Sequence, residues 1–199
     1  MPKLITFITT ETNGLHEDDP TDPIEKKHLY EYAHMAKLIY HQGIYKNGKI
    51  KTTLKKSFLI KPEHYFFPKE LTKINGLTHE KLVKKGDDLE EVMTEFFDDL
   101  KKSEIIVGHN LPFHMKTIMA SMFRSGVSHY FSKYKYIDII NYNHKIEKPN
   151  LKNLCKELLG NSYEDKSRNF QITMIKKVFA KLYHNMEIEV KGISQASNL

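Results

Sequence analysis

The hydrophobic and polar positions of this chain change period several times between the N-terminus and residue 184. "KLITFIT", Lys3 to Thr9, alternates and is β-branched, which predicts a first strand. Leu15 to Lys27 loses the alternation and gathers Asp18, Asp19, Pro20, Asp22 and Pro23, a turn-rich loop. The stretch from Ala33 to Ile60 regains it and predicts two or three strands. Asn47-Gly48 forms a hairpin turn there, because both residues tolerate positive φ. In "GDDLEEVMTEFFDDLKKS" the period becomes helical. Leu89, Val92, Met93, Phe96, Phe97 and Leu100 share one face, Asp88 caps the start with Glu91 at the capping-box position, and Lys101 and Lys102 suit the negative end.

"EIIVG" follows as a short buried strand, and Pro112 opens a helix whose Met115, Ile118, Met119, Met122 and Phe123 face one way until Gly126 ends it. "KYIDII" is a further strand. Asn150 caps a helix stopped by Gly160, and a last helix runs from Asn169 to His184. Residues 185–199 form a weakly patterned tail. Strands first, then helices alternating with strands, predict an α/β layer structure around one mixed sheet. The domain is expected to span residues 1–184.

Composition narrows the picture modestly. The chain has 199 residues, 40% of them hydrophobic, enough for one domain with a real core. Net charge is +6, which favours a polyanionic partner such as nucleic acid. The single cysteine, Cys155, has no disulfide partner in the chain and falls on an apolar helix face, so it reads as core. No apolar run approaches the length of a membrane span, and "MPKLITF" has no signal-peptide core, so an intracellular, cytoplasmic protein with no membrane partner is expected. The eleven histidines form no HxxxH pair.

Four segments, in order, carry a resemblance. "FITTETNGL" (residues 7–15), "KINGLTHEKL" (73–82), "VGHNLPFHMKTI" (107–118) and the closing "LKNLCKELLGN…FQITMIKKVFAKL" resemble the DnaQ-like 3′–5′ exonucleases of the DEDD (DEDDh) group. The resemblance implies an α/β, ribonuclease H-like fold with a mixed five-stranded sheet flanked by helices. It also implies phosphodiester hydrolysis by two Mg²⁺ ions, held by four acids beside a His or Tyr general base. Two such dications about 4 Å apart repel by about 17 kcal/mol at an effective dielectric near 20, which several carboxylates must offset.

Position by position, the acids are missing. The first Asp of the motif falls on Thr9, and Glu11 is retained. The second-motif Asp falls on His114. The third falls on Gln171, or on Ile172 one residue later, and the general base falls on Lys166 or Ser167. Glu11 is thus the one catalytic position kept, while Gly14, Leu15, Gly108, His109, Asn110 and Phe113 persist as scaffold.

The resemblance therefore implies a catalytically degenerate exonuclease fold acting as a nucleic-acid-binding or accessory factor. Its expected partners are a single strand or 3′ end, and a protein of replication, repair or RNA metabolism. Asn13, His109, Asn110, Phe113, Lys176 and Lys177 are the candidate nucleic-acid contacts, with Lys55/Lys56 and Lys84/Lys85 as further phosphate candidates. No cofactor is expected on this reading. An active nuclease with altered ligands would instead need Mg or Mn. Glu11 and His114 are then the metal candidates, joined by Asp138 or Asp165. A protein-docking module without nucleic-acid binding is the third alternative.

Overall fold

In the computed structural model, residues 3–17, 19, 22–141, 146, 149–160 and 167–184 are described. Five strands form one sheet in the order β3-β2-β1-β4-β5. Strand β1 (Leu4–Thr12) pairs antiparallel with β2 (Met35–Lys46), which pairs antiparallel with β3 (Lys49–Leu59). On its other side β1 runs parallel to β4 (Ile105–Gly108), and β4 runs parallel to β5 (Lys135–Asp138). This is the mixed five-stranded, ribonuclease H-like arrangement expected.

The predicted elements reappear with shifted ends. β1 continues three residues past Thr9, because Thr10 and Thr12 are β-branched and find partners for their hydroxyls. The Ala33–Ile60 stretch resolves into two strands, turning at Asn47 (φ 51°) and Gly48 (φ 73°). The predicted loop at Leu15–Lys27 ends in a short 3-10 turn, Lys26–Glu31, and "KYIDII" leaves the sheet at Asp138. Two short helices, α1 (Lys69–Asn75) and α2 (His79–Lys85), precede α3 (Leu89–Leu100). Asp88 Oδ1 accepts the N–H groups of Glu90 and Glu91 and so caps α3.

Helix α4 (Leu111–Ser125) starts one residue before Pro112, and Gly126 (φ 71°) ends it. Helix α5 (Leu151–Leu159) has Asn150 as its cap, and α6 (Arg168–His184) closes the described chain. Residues 185–199 of the tail lie outside the described residues.

The sheet separates two cores. Helices α3 and α4 cover one face, where Ile8, Leu38, Tyr40, Phe96, Ile106 and Ile118 are buried together. Helices α5 and α6 cover the other, over Phe7, Ile39, Val107, Leu154 and Phe179. Cys155 is buried in this second core, and burial pushes its thiol up to about 11, so it is inert at neutral pH. No helix among the described residues is long and apolar enough to cross a membrane.

Candidate functional site

The first and second motifs converge at the C-terminal ends of β1 and β4. Alternation along β1 sends Thr10 toward α4 and sets Thr9 and Glu11 on the α5/α6 side. Thr9 pairs with Ile39 of the second core, and Thr10 with Leu38 of the first. Thr9 is buried, so a carboxylate there would need a compensating charge. A hydroxyl needs one hydrogen bond. Glu11 is half-buried and stands directly across from Lys37 on β2, within reach of a cross-strand charge pair.

His114 occupies the second-motif position and is buried. Its Nδ1 accepts the Thr10 backbone N–H at 3.1 Å and lies 2.8 Å from Thr10 Oγ1. A nitrogen that accepts an N–H carries no proton, so the neutral ring keeps its proton on Nε2. A cation bound at Nε2 would require a ring stripped of both protons. The geometry therefore makes His114 a tie between α4 and β1, on the opposite side of the strand from Glu11.

The other acid near the groove is also committed. Asp138, at the end of β5, accepts the N–H groups of Asn110 (3.0 Å), Leu111 (2.9 Å) and Ile140 (3.0 Å). It caps α4 at the point where Asn110 takes a left-handed conformation, φ 60°. Burial raises its pKa, while these three N–H groups pull the other way. Gly108 lets the helix start come this close: a Cβ there would meet Leu111 Cδ1 at 2.9 Å.

Three of the predicted nucleic-acid residues have structural duties. Asn13 Oδ1 accepts the His34 N–H at 2.6 Å, His109 Nε2 lies 3.2 Å from the Pro149 carbonyl, and the Phe113 ring packs 4.8 Å from that of His16. Asn110 is exposed at the helix start. At the third motif, Gln171 is half-buried in the first turn of α6 and Ile172 is fully buried in the second core. Ser167 precedes the helix, whereas Lys166 and Asp165 lie outside the described residues. Neither register returns an acid.

The lysine pairs separate. Lys55 and Lys56 are adjacent in sequence, so alternation turns them to opposite faces, and Lys56 is held by Glu95 and Asp99 at 2.6 Å each. It is not a free phosphate contact. Lys84 and Lys85 are exposed at the end of α2. Lys176 is buried and donates to Thr52 Oγ1 on β3, while Lys177 is exposed. Both lie beyond the groove, further along α6. Thr10, the partner that fixes His114, carried no signal in the sequence. A threonine in a strand looks the same whether or not a histidine 104 residues on meets it.

Among the described residues, no group of three or more His, Cys, Asp or Glu side chains comes together to hold a metal. The donor set does not fit a two-metal centre either. Among the described residues Glu11 is the one carboxylate at the motif positions, Asp138 already accepts three backbone N–H groups, and hard Mg²⁺ wants several oxygen ligands.

A family model described as Exonuclease, RNase_T, matches residues 7–164. Among solved structures, the chain is similar to the nuclease domain of 3′hExo, a DEDDh family member, bound to rAMP. The TM-score is 0.72 at 13% identity, over 96% of each chain. It is also similar to a 3′-exonuclease described for 3′-end specific recognition of the histone mRNA stem-loop. That TM-score is 0.71 at 14% identity, over 95% of this chain and 85% of that one. With E. coli exonuclease I in complex with a dT13 oligonucleotide the TM-score is 0.65 at 16% identity, over 90% of this chain and 40% of that one. Identities this low establish the fold alone. No curated protein matches the chain.

Proposed function

The chain belongs to the RNase_T exonuclease family, and from that premise we propose that it binds the end of a nucleic-acid strand without hydrolysing it. The observation that carries the reading is the fate of the acids. Of the positions that clamp two metals in the family, Glu11 alone is acidic, and it faces Lys37 across the strand pair. Thr9 is a buried hydroxyl, and His114 has its Nδ1 taken by Thr10. A lone carboxylate leaves most of the repulsion between two dications unopposed.

The scaffold that shapes the groove is kept, which argues for binding over simple decay. Gly108, Asn110 and Leu111 still deliver the start of α4 to Asp138. Replacing acids by Thr9, His114 and Gln171 also removes the negative charge that would repel a phosphate once no metal screens it. The fold relatives described with an oligonucleotide, a histone mRNA stem-loop and rAMP support a strand end as the ligand class. The net charge of +6 has the matching sign.

Purified full-length chain incubated with 3′-labelled single-stranded DNA or RNA, in Mg²⁺ or Mn²⁺, should leave the label intact while retaining the strand in a salt-sensitive complex. Stepwise loss of 3′ nucleotides that Glu11→Gln abolishes would overturn the non-hydrolytic reading. Absence of strand binding at low salt would overturn the binding one.

A further inference from the structure

One interior cation has no counter-charge among the described residues. Lys176 lies on α6, four residues past Ile172, and is 8% exposed. Its Nζ donates to Thr52 Oγ1 at 3.0 Å. Among the described residues it forms no ion pair, and those ion pairs that are formed lie elsewhere. The charged neighbour that acts on it is another cation, Lys55, and burial together with Lys55 holds its pKa below the ordinary lysine value.

His41, opposite Lys55 in the β2–β3 register, is also buried. Its Nδ1 has no hydrogen-bond partner among the described residues. Burial, then Lys176 and Lys55, push the imidazole down to about 4. A buried ammonium beside a lysine and an imidazole, with two N–H donors to spare, is an arrangement that costs stability unless something negative completes it.

Lys176 opens onto a cleft of about 730 Å³ between α6, the end of α5 and the tip of the β2–β3 hairpin. Lys49, Lys177 and Lys181 stand around it, Ile50 and Met174 form apolar wall, and among the described residues no carboxylate lines it. The volume falls within the range of small-ligand pockets. The cleft is separate from the groove. Thr52 pairs with Gly43, which pairs with Ile5, four residues before Thr9; this is about 13 Å along the strands, and two strands across the sheet.

We propose that this cleft is a second binding site, for a phosphate-bearing anion of nucleotide size, with the Lys176 ammonium, held in place by the Thr52 hydroxyl, at its floor. The ammonium groups of Lys49, Lys176, Lys177 and Lys181 supply four donor groups that suit the oxygens of a phosphate, and the apolar wall accepts the uncharged part of the ligand. The site does not depend on what the groove binds. The ligand needs no metal, because the lysines supply the positive charge.

The test is a titration of the full-length chain in EDTA with inorganic phosphate, a nucleoside monophosphate and a short single-stranded oligonucleotide. Affinity is read by calorimetry, and the His41 ring signals by NMR. Saturable binding of phosphate or monophosphate that shifts the His41 signals, and that Lys176→Met weakens tenfold or more, is the expected result. Glu11→Gln should leave that affinity within twofold, which separates this site from the groove. Tighter binding of the monophosphate than of phosphate identifies a free nucleotide as the source, and tighter binding of the oligonucleotide a strand backbone.

Should Lys176→Met fail to fold, Lys49→Ala/Lys177→Ala takes its place, with an expected fivefold loss. Absence of saturable binding by all three ligands, or unchanged affinity in whichever variant folds, would overturn the proposal.

Discussion

Two lysines reach the β3 edge of the sheet from opposite faces, and their surroundings differ completely. Lys56, on the α3 side, is 2.6 Å from both Glu95 Oε1 and Asp99 Oδ2. Asp99 in turn accepts from Tyr40 Oη and Lys102 Nζ, and its backbone carbonyl takes Gln42 Nε2. Gln42 also reaches Thr6 Oγ1 and Ser103 Oγ, so the network closes on itself. Lys176, on the α6 side, has Thr52 and two cationic or ionisable neighbours. The difference is written in the helices that cover each face: α3 carries Glu90, Glu91, Glu95, Asp98 and Asp99, while α6 has no acid in 17 residues. A closed network needs nothing from outside, and an open one of single sign has a use for an anion.

The largest expected effect falls on the closed side. Asp99→Ala should destabilise the fold by about 3 kcal/mol, because it strands the Tyr40 hydroxyl and leaves Lys56 with Glu95 alone. Chemical denaturation of the variant against the wild type measures this, and a loss below about 1 kcal/mol would mean the network is dispensable. The pH dependence follows the same group. Burial raises the Asp99 carboxyl, but the hydrogen bonds from Lys56, Lys102 and Tyr40 lower it more, to below the ordinary value of 3.8. Its contribution is therefore present above that ordinary value and is lost as pH falls through the folded-state value.

A matched pair of substitutions sharpens the contrast. Lys56→Met should cost about 1–2 kcal/mol, since it leaves Asp99 and Glu95 facing each other without a cation. Lys176→Met should do the reverse and stabilise the ligand-free protein by about 1 kcal/mol, since it removes a buried charge that has no partner of opposite sign among the described residues. Thermal unfolding in phosphate-free buffer reads both. Equal signs would erase the distinction between the two faces.

How much of this was legible in the sequence depends on the reach of each interaction. Helix α3 was plain, because Leu89 to Leu100 repeat at the helical period and Asp88 satisfies N–H groups two and three residues away. The fold was legible from the order of its motifs, and the loss of acids at Thr9 and His114 needed no coordinates. The role of His114 did need them: its partner Thr10 lies 104 residues earlier, and packing alone brings them together. Lys55 and Lys56 look like one basic pair until the pleat separates them. Lys176 and Lys177 look like another, until the helix buries the first and exposes the second. Residues next to each other in sequence share a charge pattern, but a strand or helix decides whether they share a solvent.

The smallest effect isolates His41, the imidazole of the open cluster. In the unfolded chain its imidazole protonates near pH 6.5, whereas in the fold it does so at about 4. Between those values the unfolded state binds more protons, so stability rises with pH across that window and falls on acidification through it. From about pH 7 to about pH 6 this one group should cost about 0.7 kcal/mol. Half-buried histidines titrate too, His34 and His129 among them, so the quantity to measure is the difference between the wild-type and His41→Gln stability curves. That difference should slope in phosphate-free buffer. Its acid end should move to higher pH when saturating phosphate is added, because an anion near Lys176 offsets the positive field that, after burial, depresses the imidazole. A slope that ignores phosphate would place the whole depression in burial and remove the anion from the account of His41.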